Sequence, residues 1–495
     1  MLWATTLLAF GLKLITVVID PNPQFFLGDS GSYLYTAVTG WIPPDRSYLY
    51  GFLIRWLCLS SGSLFPLVLV QTLASSLSAG ILGWSLRRFL QAPPALAIVI
   101  TVAYCFDPLQ LMYDRFVMAE SFSLCATMIF IGFLLVFIDT GKRRFLVFAS
   151  MAGVTAVALR ISYLPTVTAL SFAAPLIRLF CCDSEDEKDV RLRLKQCSYS
   201  LGVIAVTHFT LHMGYKSLTG RLSGEPPAYQ YADGFSLVSS WCPIMSSEDL
   251  QAAAVSDTTL ADTYPRTFES RRAQRWMDKG IVLTLTHASR DPGQANAVAK
   301  KIAFHILRRD PVGVANLGLR TYLRGYGKEV IKGCIKEDTG DRPIPPELIE
   351  IAAKNFHLAA ADLPTRRTWT KSYFGRGTQW YRVLLLTPVL LVITALFTDR
   401  RRRMFVAVVT IYSVIVLLTV MGLAVDNSIR YLHPLSWTFF VFLTYWIVFC
   451  INKTRTRVAQ PSPLVAFLLV GCCFLGYPVP SLSKPRNDVC AISAS

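Results

Sequence analysis

The sequence predicts an all-α polytopic membrane protein: a bundle of about eleven transmembrane helices carrying one large, mostly helical insertion. Three observations predict it. Of 495 residues, 53% are hydrophobic and only 16% charged, against about 25% charged in an ordinary soluble domain. The apolar residues gather into long runs separated by short polar stretches. The basic residues cluster in alternate loops between those runs.

In chain order the runs lie at approximately 3–20, 60–80, 93–110, 118–138, 145–163, 165–180, 198–214, 383–398, 404–424, 433–451 and 462–478. Several are at the short end of what a spanning helix needs, about 20 residues. The fifth and sixth are divided only by Arg160, Ser162, Tyr163 and Pro165. The first lacks a basic leader, holds Lys13 within it and is followed by no small-residue cleavage site, so it reads as a retained helix. An aromatic content of 12% fits Trp and Tyr belts at the two interfaces.

The charges orient these runs. Arg87 and Arg88, Lys142 to Arg144, Arg178 with the mixed run to Lys195, Arg400 to Arg403, and Lys453, Arg455 and Arg457 follow the even-numbered runs. All fall on one side when the N-terminus is cytoplasmic. The outer stretches are then 21–59, 111–117, 164, 215–382, 425–432 and the C-terminal tail. The formal charge of +17 is accounted for by a retained cytoplasmic flank, and no interleaved basic and aromatic surface points to nucleic acid. Most of the twelve cysteines, among them Cys125, Cys450, Cys472 and Cys473, sit in apolar runs as small hydrophobes.

The chain divides into three parts: a transmembrane module over 1–214, an extracytoplasmic insertion over 215–382, and a second transmembrane module with its outer tail over 383–495. The insertion is domain-sized and too long for a bare loop. It opens on an irregular Gly/Pro-punctuated stretch. Helices are expected from Ala295, after Asp310-Pro311, and in PPELIEIAAKNFHLAAA, where proline and cap residues mark the starts. The basic, aromatic approach from Arg366 to Arg382 fits the outer membrane surface. Cys242 and Cys334 are candidates for a disulfide, with Cys58 and Cys490 leaving the pairing open.

This topology brings Asp29, Asp45, Asp107, Asp114, Glu120 and Asp426 to one depth with Arg46, Arg115, Arg160 and Arg430. Ionisable groups at a membrane boundary are costly unless paired or used. A carboxylate there can take a proton from an attacking hydroxyl or amine, and guanidiniums can hold a phosphate leaving group. Asp29, flanked by Gly28 and Gly31, is the first candidate for the base; its alternative role is to cap the helix begun by SGSYLYTA. Glu120 reads either as a functional acid or as one half of a salt bridge with Arg115, and Asp114 or Asp107 can take its place as the second carboxylate. Arg160 and Arg430 read as phosphate clamps or as side chains snorkelling to headgroups. His208 and His212 share a helix face, without the third ligand a metal site needs. Walker A, Rossmann and GxSxG patterns are absent, which disfavours a nucleotide-driven pump or a serine hydrolase.

The order of these elements resembles the GT-C superfamily of integral-membrane glycosyltransferases, in particular the aminoarabinose transferases and protein O-mannosyltransferases. The resemblance rests on Asp29 and Tyr33 in GDSGSYLYTA after the first helix, Asp114 and Glu120 in DRFVMAES, Arg160 before Pro165, and Arg430 and Tyr431 in RYLHP. It covers about 1–210 and 380–480. It implies a GT-C-like bundle, a polyprenyl- or dolichyl-phosphate sugar as donor, and transfer to a lipid, glycan or protein acceptor on the extracytoplasmic side. Asp29 is then the base or the acceptor-positioning acid, with Glu120 or Asp114 as the second acid. Arg160 and Arg430 face the donor phosphate, with Arg115, Tyr33 and Tyr431 beside it. No cofactor is implied with certainty; a divalent cation near the phosphate is an open option, and no metal ligands are assigned. The chain departs from the pattern in having Ser30 where many relatives have a second adjacent acid, and in placing its insertion before the last spans. The compact loops lean towards a bacterial inner membrane. A transporter or flippase for a lipid-linked or anionic substrate is the main alternative, although neither a repeat nor balanced halves is evident and the candidate groups gather at one face. A non-catalytic assembly subunit whose insertion binds a partner is the third.

Overall fold

The computed structural model describes residues 1–26, 28–181, 190–289, 291–339, 344–358, 368–424 and 428–455. The eleventh expected span at 462–478 lies outside them, as do Asp426, Arg366, Cys472, Cys473 and Cys490. Among the described residues the regular structure is helical throughout, with one isolated parallel bridge between Gln24 and Phe116. Met1–Thr444 form one compact unit and Tyr445–Ser495 a second; the described part of the second is the end of the helix His433–Arg455, where Cys450 is exposed rather than buried.

Among the described residues, seven helices are long and apolar enough to cross a membrane: Leu2–Ile19, Phe65–Phe89, Glu120–Thr140, Ile161–Phe180, Thr378–Leu396, Arg402–Leu423 and Ile429–Lys453. The chain is a multi-pass integral membrane protein of all-helical architecture. The expected count of eleven is not reached among the described residues, for local reasons. The run at 93–110 breaks after Cys105 because Asp107 caps a new short helix whose first residue is Pro108. The run at 145–163 is the 16-residue helix Arg144–Leu159, ended by Arg160 in extended conformation. The run at 198–214 is the middle of the 34-residue helix Val190–Ser223, which carries the chain past the proposed boundary at 214 and into the insertion.

The first helix packs along Phe65–Phe89, and their closest approach needs a glycine: a Cβ on Gly80 would collide with Thr6 Oγ1. Lys13, inside the first helix, donates to Asp114 Oδ2 at 2.7 Å and to Ser75 Oγ at 2.8 Å, and both partners of the ion pair are 1% exposed. Such a pair is tolerable inside an apolar bundle because each charge neutralises the other and finds further hydrogen bonds. Ser121 Oγ supplies one more to Asp114, at 3.4 Å.

The insertion forms the expected helices Pro292–Arg309, Pro311–Arg324 and Pro346–Phe356. Asp291 and Asp310 cap the first two by accepting from backbone N–H groups of the first turn. A core of Phe235, Val238, Trp241, Leu250, Ile281, Leu285, Ile302 and Ile306 holds its middle together. Cys242 is a free, buried thiol in this core, so the disulfide considered with Cys334 is not formed. Asp249 anchors its rim, receiving Arg309 at 2.9 Å and lying 2.6 Å from His305 Nδ1. The insertion is tied down at several points. Trp241 Nε1 donates to Gly422 O at 2.8 Å, Tyr231 N to Pro44 O at 2.7 Å, and Leu348, Ala352 and Phe356 pack against Tyr33, Leu34 and Ala37.

Lys13→Met should leave Asp114 buried and unpaired, lowering stability by about 3–5 kcal/mol. The double change Lys13→Met with Asp114→Leu should recover most of that loss. Thermal unfolding of the detergent-purified variants measures both.

Candidate active site

Gly28 turns the chain out of the first loop with φ +89°, a left-handed conformation that side chains disfavour, and starts the helix Asp29–Thr39. Asp29 is therefore the first helical residue, where a carboxylate is favoured by the helix dipole. The next residue fixes its position. Ser30 Oγ donates to Val117 O at 3.0 Å and accepts from Phe26 N at 2.8 Å. Gln24 reinforces the same joint, with Gln24 N to Arg115 O at 2.7 Å and Val117 N to Gln24 O at 2.8 Å. The stretch after Asp114 is thus locked to the loop that follows the first helix, just before Glu120 begins its own helix.

Asp29 is held from two sides. Arg46 Nη1 donates to Oδ1 at 2.9 Å, and Arg430 Nη1 donates to Oδ2 at 2.8 Å, so residues 401 positions apart meet on one carboxylate. Arg46 also donates to Gly28 O and forks onto both oxygens of Asp45, at 3.0 and 2.6 Å. Burial alone would raise the pKa of Asp29, but Arg46 and Arg430 outweigh it and hold the carboxyl below the usual carboxylate range. Burial keeps the Tyr33 phenol neutral by pushing its pKa up. Arg430 sits on the 3-10 turn Ile429–Leu432, and the insertion fixes that turn: Ile429 N donates to Asp338 Oδ2 at 3.1 Å. The Arg430 guanidinium lies 5.3 Å from the Phe26 ring centre and 5.4 Å from that of Tyr431.

Arg160 lies in the break between Arg144–Leu159 and the 3-10 turn Ile161–Tyr163. Its Nη1 is 3.2 Å from Glu120 Oε1, an ion-pair distance, yet is not aimed as a hydrogen bond and has no hydrogen-bond partner. Glu120 is therefore paired with Arg160 and not with Arg115. Arg115 is turned the other way, donating to Asp20 O at 2.8 Å and to Thr16 Oγ1 at 3.1 Å.

Asp29, Tyr33, Glu120, Arg160, Arg430 and Tyr431 all line one cavity of about 1030 Å³. Asp114 and Arg115 do not line it, and neither does Asp107, which accepts Trp380 Nε1 at 2.7 Å and caps its own helix. Asp45 and Arg46 complete the inner cluster. The insertion contributes Tyr229, Tyr231, Asp233, Arg275 and Lys300 to the lining, which hydrophobic patterning could not locate. His212 meets the Tyr229 hydroxyl, and the His208 ring lies tilted against that of His212 with ring centres 5.2 Å apart. Among the described residues no three His, Cys, Asp or Glu side chains gather as metal ligands.

No protein-family model matches this chain, and no curated protein does. Among solved structures it is similar to ArnT from Cupriavidus metallidurans bound to undecaprenyl phosphate, at 13% identity over 85% of this chain and 76% of that one, with a TM-score of 0.32. The apo state of the same protein gives a TM-score of 0.28 over the same shares. A likeness this distant carries no argument about chemistry, which has to come from the side chains of the cavity.

Replacing Arg46 with Gln removes one of the two cations that stabilise ionised Asp29, so the Asp29 pKa should rise. Carbon NMR titration of carboxyl-labelled aspartate in detergent should show that resonance titrating at higher pH in Arg46→Gln than in the parent protein.

Proposed function

We propose that the protein is a membrane glycosyltransferase that moves a sugar from a polyprenyl-phosphate or dolichyl-phosphate donor to a lipid, glycan or protein acceptor on the extracytoplasmic side, with inversion. The observation that carries this is the Asp29 carboxylate held between Arg46 and Arg430 in a large cavity shared by membrane helices and insertion. A base and cations beside one cavity are what displacement from a phosphate requires. The boundary depth suits a donor whose lipid tail stays in the bilayer.

In this mechanism the acceptor hydroxyl oxygen attacks the anomeric carbon and its proton passes to Asp29. The bond from that carbon to the phosphate oxygen breaks, and its electron pair leaves with the lipid phosphate. Each Asp29 oxygen accepts one arginine N–H and keeps a further acceptor site for the incoming proton. Arg430 is the natural contact for the phosphate, because its forked donors can serve two oxyanions. As the phosphate draws on Arg430, Asp29 loses part of the positive field that depresses its proton affinity and becomes a stronger base. Arg160, whose Nη1 lacks a hydrogen-bond partner, is the second phosphate contact, and Glu120 orients it or the acceptor. Direct inversion needs no second carboxylate nucleophile. The cytoplasmic N-terminus, the bacterial inner membrane and the division at 214 and 382 belong to the same proposal, supported by the alternation of basic loops.

Asp29→Asn should lower transfer by about 10²–10⁴-fold, the range for losing a positioned base, while leaving a folded protein. The assay is release of lipid phosphate from a labelled polyprenyl-phosphate sugar in membranes containing the protein, with thermal unfolding as the control. Near-normal release by folded Asp29→Asn would sink the assignment.

A further inference from the structure

The insertion places one more guanidinium in the cavity wall. Arg275, on the short helix Arg271–Trp276, lines the cavity and is only 8% exposed. Its Nη1 is buried and has no hydrogen-bond partner. Its guanidinium carbon lies 4.9 Å from the Trp276 ring centre and 5.9 Å from that of Phe235, so two aromatic faces support the plane.

No carboxylate among the described residues pairs with it. Asp45 is the acid whose field reaches Arg275 most strongly, and both Asp45 oxygens are already taken by Arg46. Arg46 and Tyr431 are the other groups that act on it electrostatically. Burial pulls the Arg275 pKa down to about 10, which still leaves the side chain charged near neutral pH. Around the cavity as a whole, six acidic side chains (Asp29, Asp45, Glu120, Glu225, Asp233 and Asp291) face six basic ones. The balance is uneven in pairing. Asp233 takes Lys300 at 2.6 Å, Asp291 is spent capping its helix and Glu225 is exposed. Asp29, Asp45 and Glu120 are already paired with Arg46, Arg430 and Arg160, which leaves Arg275 without an acid of its own among the described residues. An unpaired buried cation is expensive, and a bound oxyanion removes that expense. A planar fork of donors is suited to a phosphate or carboxylate.

We propose that Arg275 forms a second oxyanion site in the cavity, distinct from the Arg430–Arg160 contacts, and that it takes a phosphate or carboxylate carried by the molecule that receives the transferred sugar. The assignment of the occupant as acceptor rests on the transferase reading; the oxyanion site itself does not. The insertion then selects the acceptor by charge, while the membrane helices hold the donor.

The full-length protein in detergent is titrated with dioctanoyl phosphatidic acid in the presence of saturating farnesyl phosphate, a short lipid phosphate that occupies the donor site. Inorganic phosphate and neutral dioctanoylglycerol are run in parallel. The parent protein should bind phosphatidic acid under these conditions and ignore dioctanoylglycerol. Arg275→Gln should weaken that binding by about tenfold or more, the loss expected for a charge-assisted contact. Arg275→Lys should restore most of it, which a purely structural defect would not allow. Farnesyl phosphate affinity should be unchanged in Arg275→Gln. Inhibition by inorganic phosphate would assign recognition to the oxyanion alone, and its failure to compete would assign it to a lipid-borne one. The proposal is overturned when Arg275→Gln binds phosphatidic acid like the parent, or when farnesyl phosphate displaces it completely. Failure of the parent to bind farnesyl phosphate, with Arg275-dependent binding intact, would count against the donor assignment and leave the oxyanion site standing.

Discussion

The contact on which the candidate site depends is the double ion pair that Arg46 and Arg430 make with Asp29. It joins the loop after the first helix to the start of the last described helix, and neither arginine could be withdrawn without leaving a half-buried carboxylate under-compensated. The supporting structure keeps that geometry. Gly28 aims the helix start, Ser30 and Gln24 bind the loop to the stretch before Glu120, and Asp338 fixes the turn that presents Arg430. A carboxylate placed this way is pre-ionised and rigid before any substrate arrives, which is the arrangement electrostatic preorganisation calls for.

Much of this was legible in the sequence, because hydrophobic runs assign depth and depth brings distant polar residues together. Asp29, Glu120, Arg160 and Arg430 come from four separate segments, yet each sits where an apolar run meets a polar one, and all four line the same cavity. Partner choice was less legible. Asp114 and Arg115 occur in the same motif as Glu120, but the first is drawn to Lys13 inside the bundle and the second to the end of the first helix. Lys13 gave the available signal: a lysine within an apolar run has to find an acid, and Asp114 lies at a depth it can reach. The span count is not reached among the described residues for a different reason. Hydropathy does not register that Asp107-Pro108 restarts the chain, or that Arg160 stops it, so the helices Pro94–Cys105 and Arg144–Leu159 are shorter than the apolar runs that contain them.

The insertion was legible as helical but silent as to the site. Its helix starts are written in Asp-Pro and Pro-Pro pairs, whereas the placement of Arg275, Asp233 and Tyr231 depends on how those helices dock. Docking is set by sparse, specific contacts such as Trp241 to Gly422 and Tyr231 to Pro44, which leave no periodic trace in the chain.

That docking also gives the insertion a chemical role in the proposed transfer. A site built for displacement at a sugar carbon has water as its competing nucleophile, and a base strong enough to activate an acceptor hydroxyl can activate water as well. Residues such as Tyr229, Tyr231 and Trp276 place aromatic bulk on the cavity wall facing the membrane helices. The same cover lowers the local dielectric, which strengthens the hold of Arg46 and Arg430 on Asp29 and of Arg160 on Glu120. Shielding and charge pairing thus reinforce each other: the better the insertion excludes solvent, the more a phosphate must offer in charge to loosen Arg430 from Asp29. An oxyanion-bearing lipid meets that requirement and a neutral molecule does not, so in the proposed transfer the pairing of Asp29 with Arg430 would supply selectivity for the donor without a pocket shaped to its sugar.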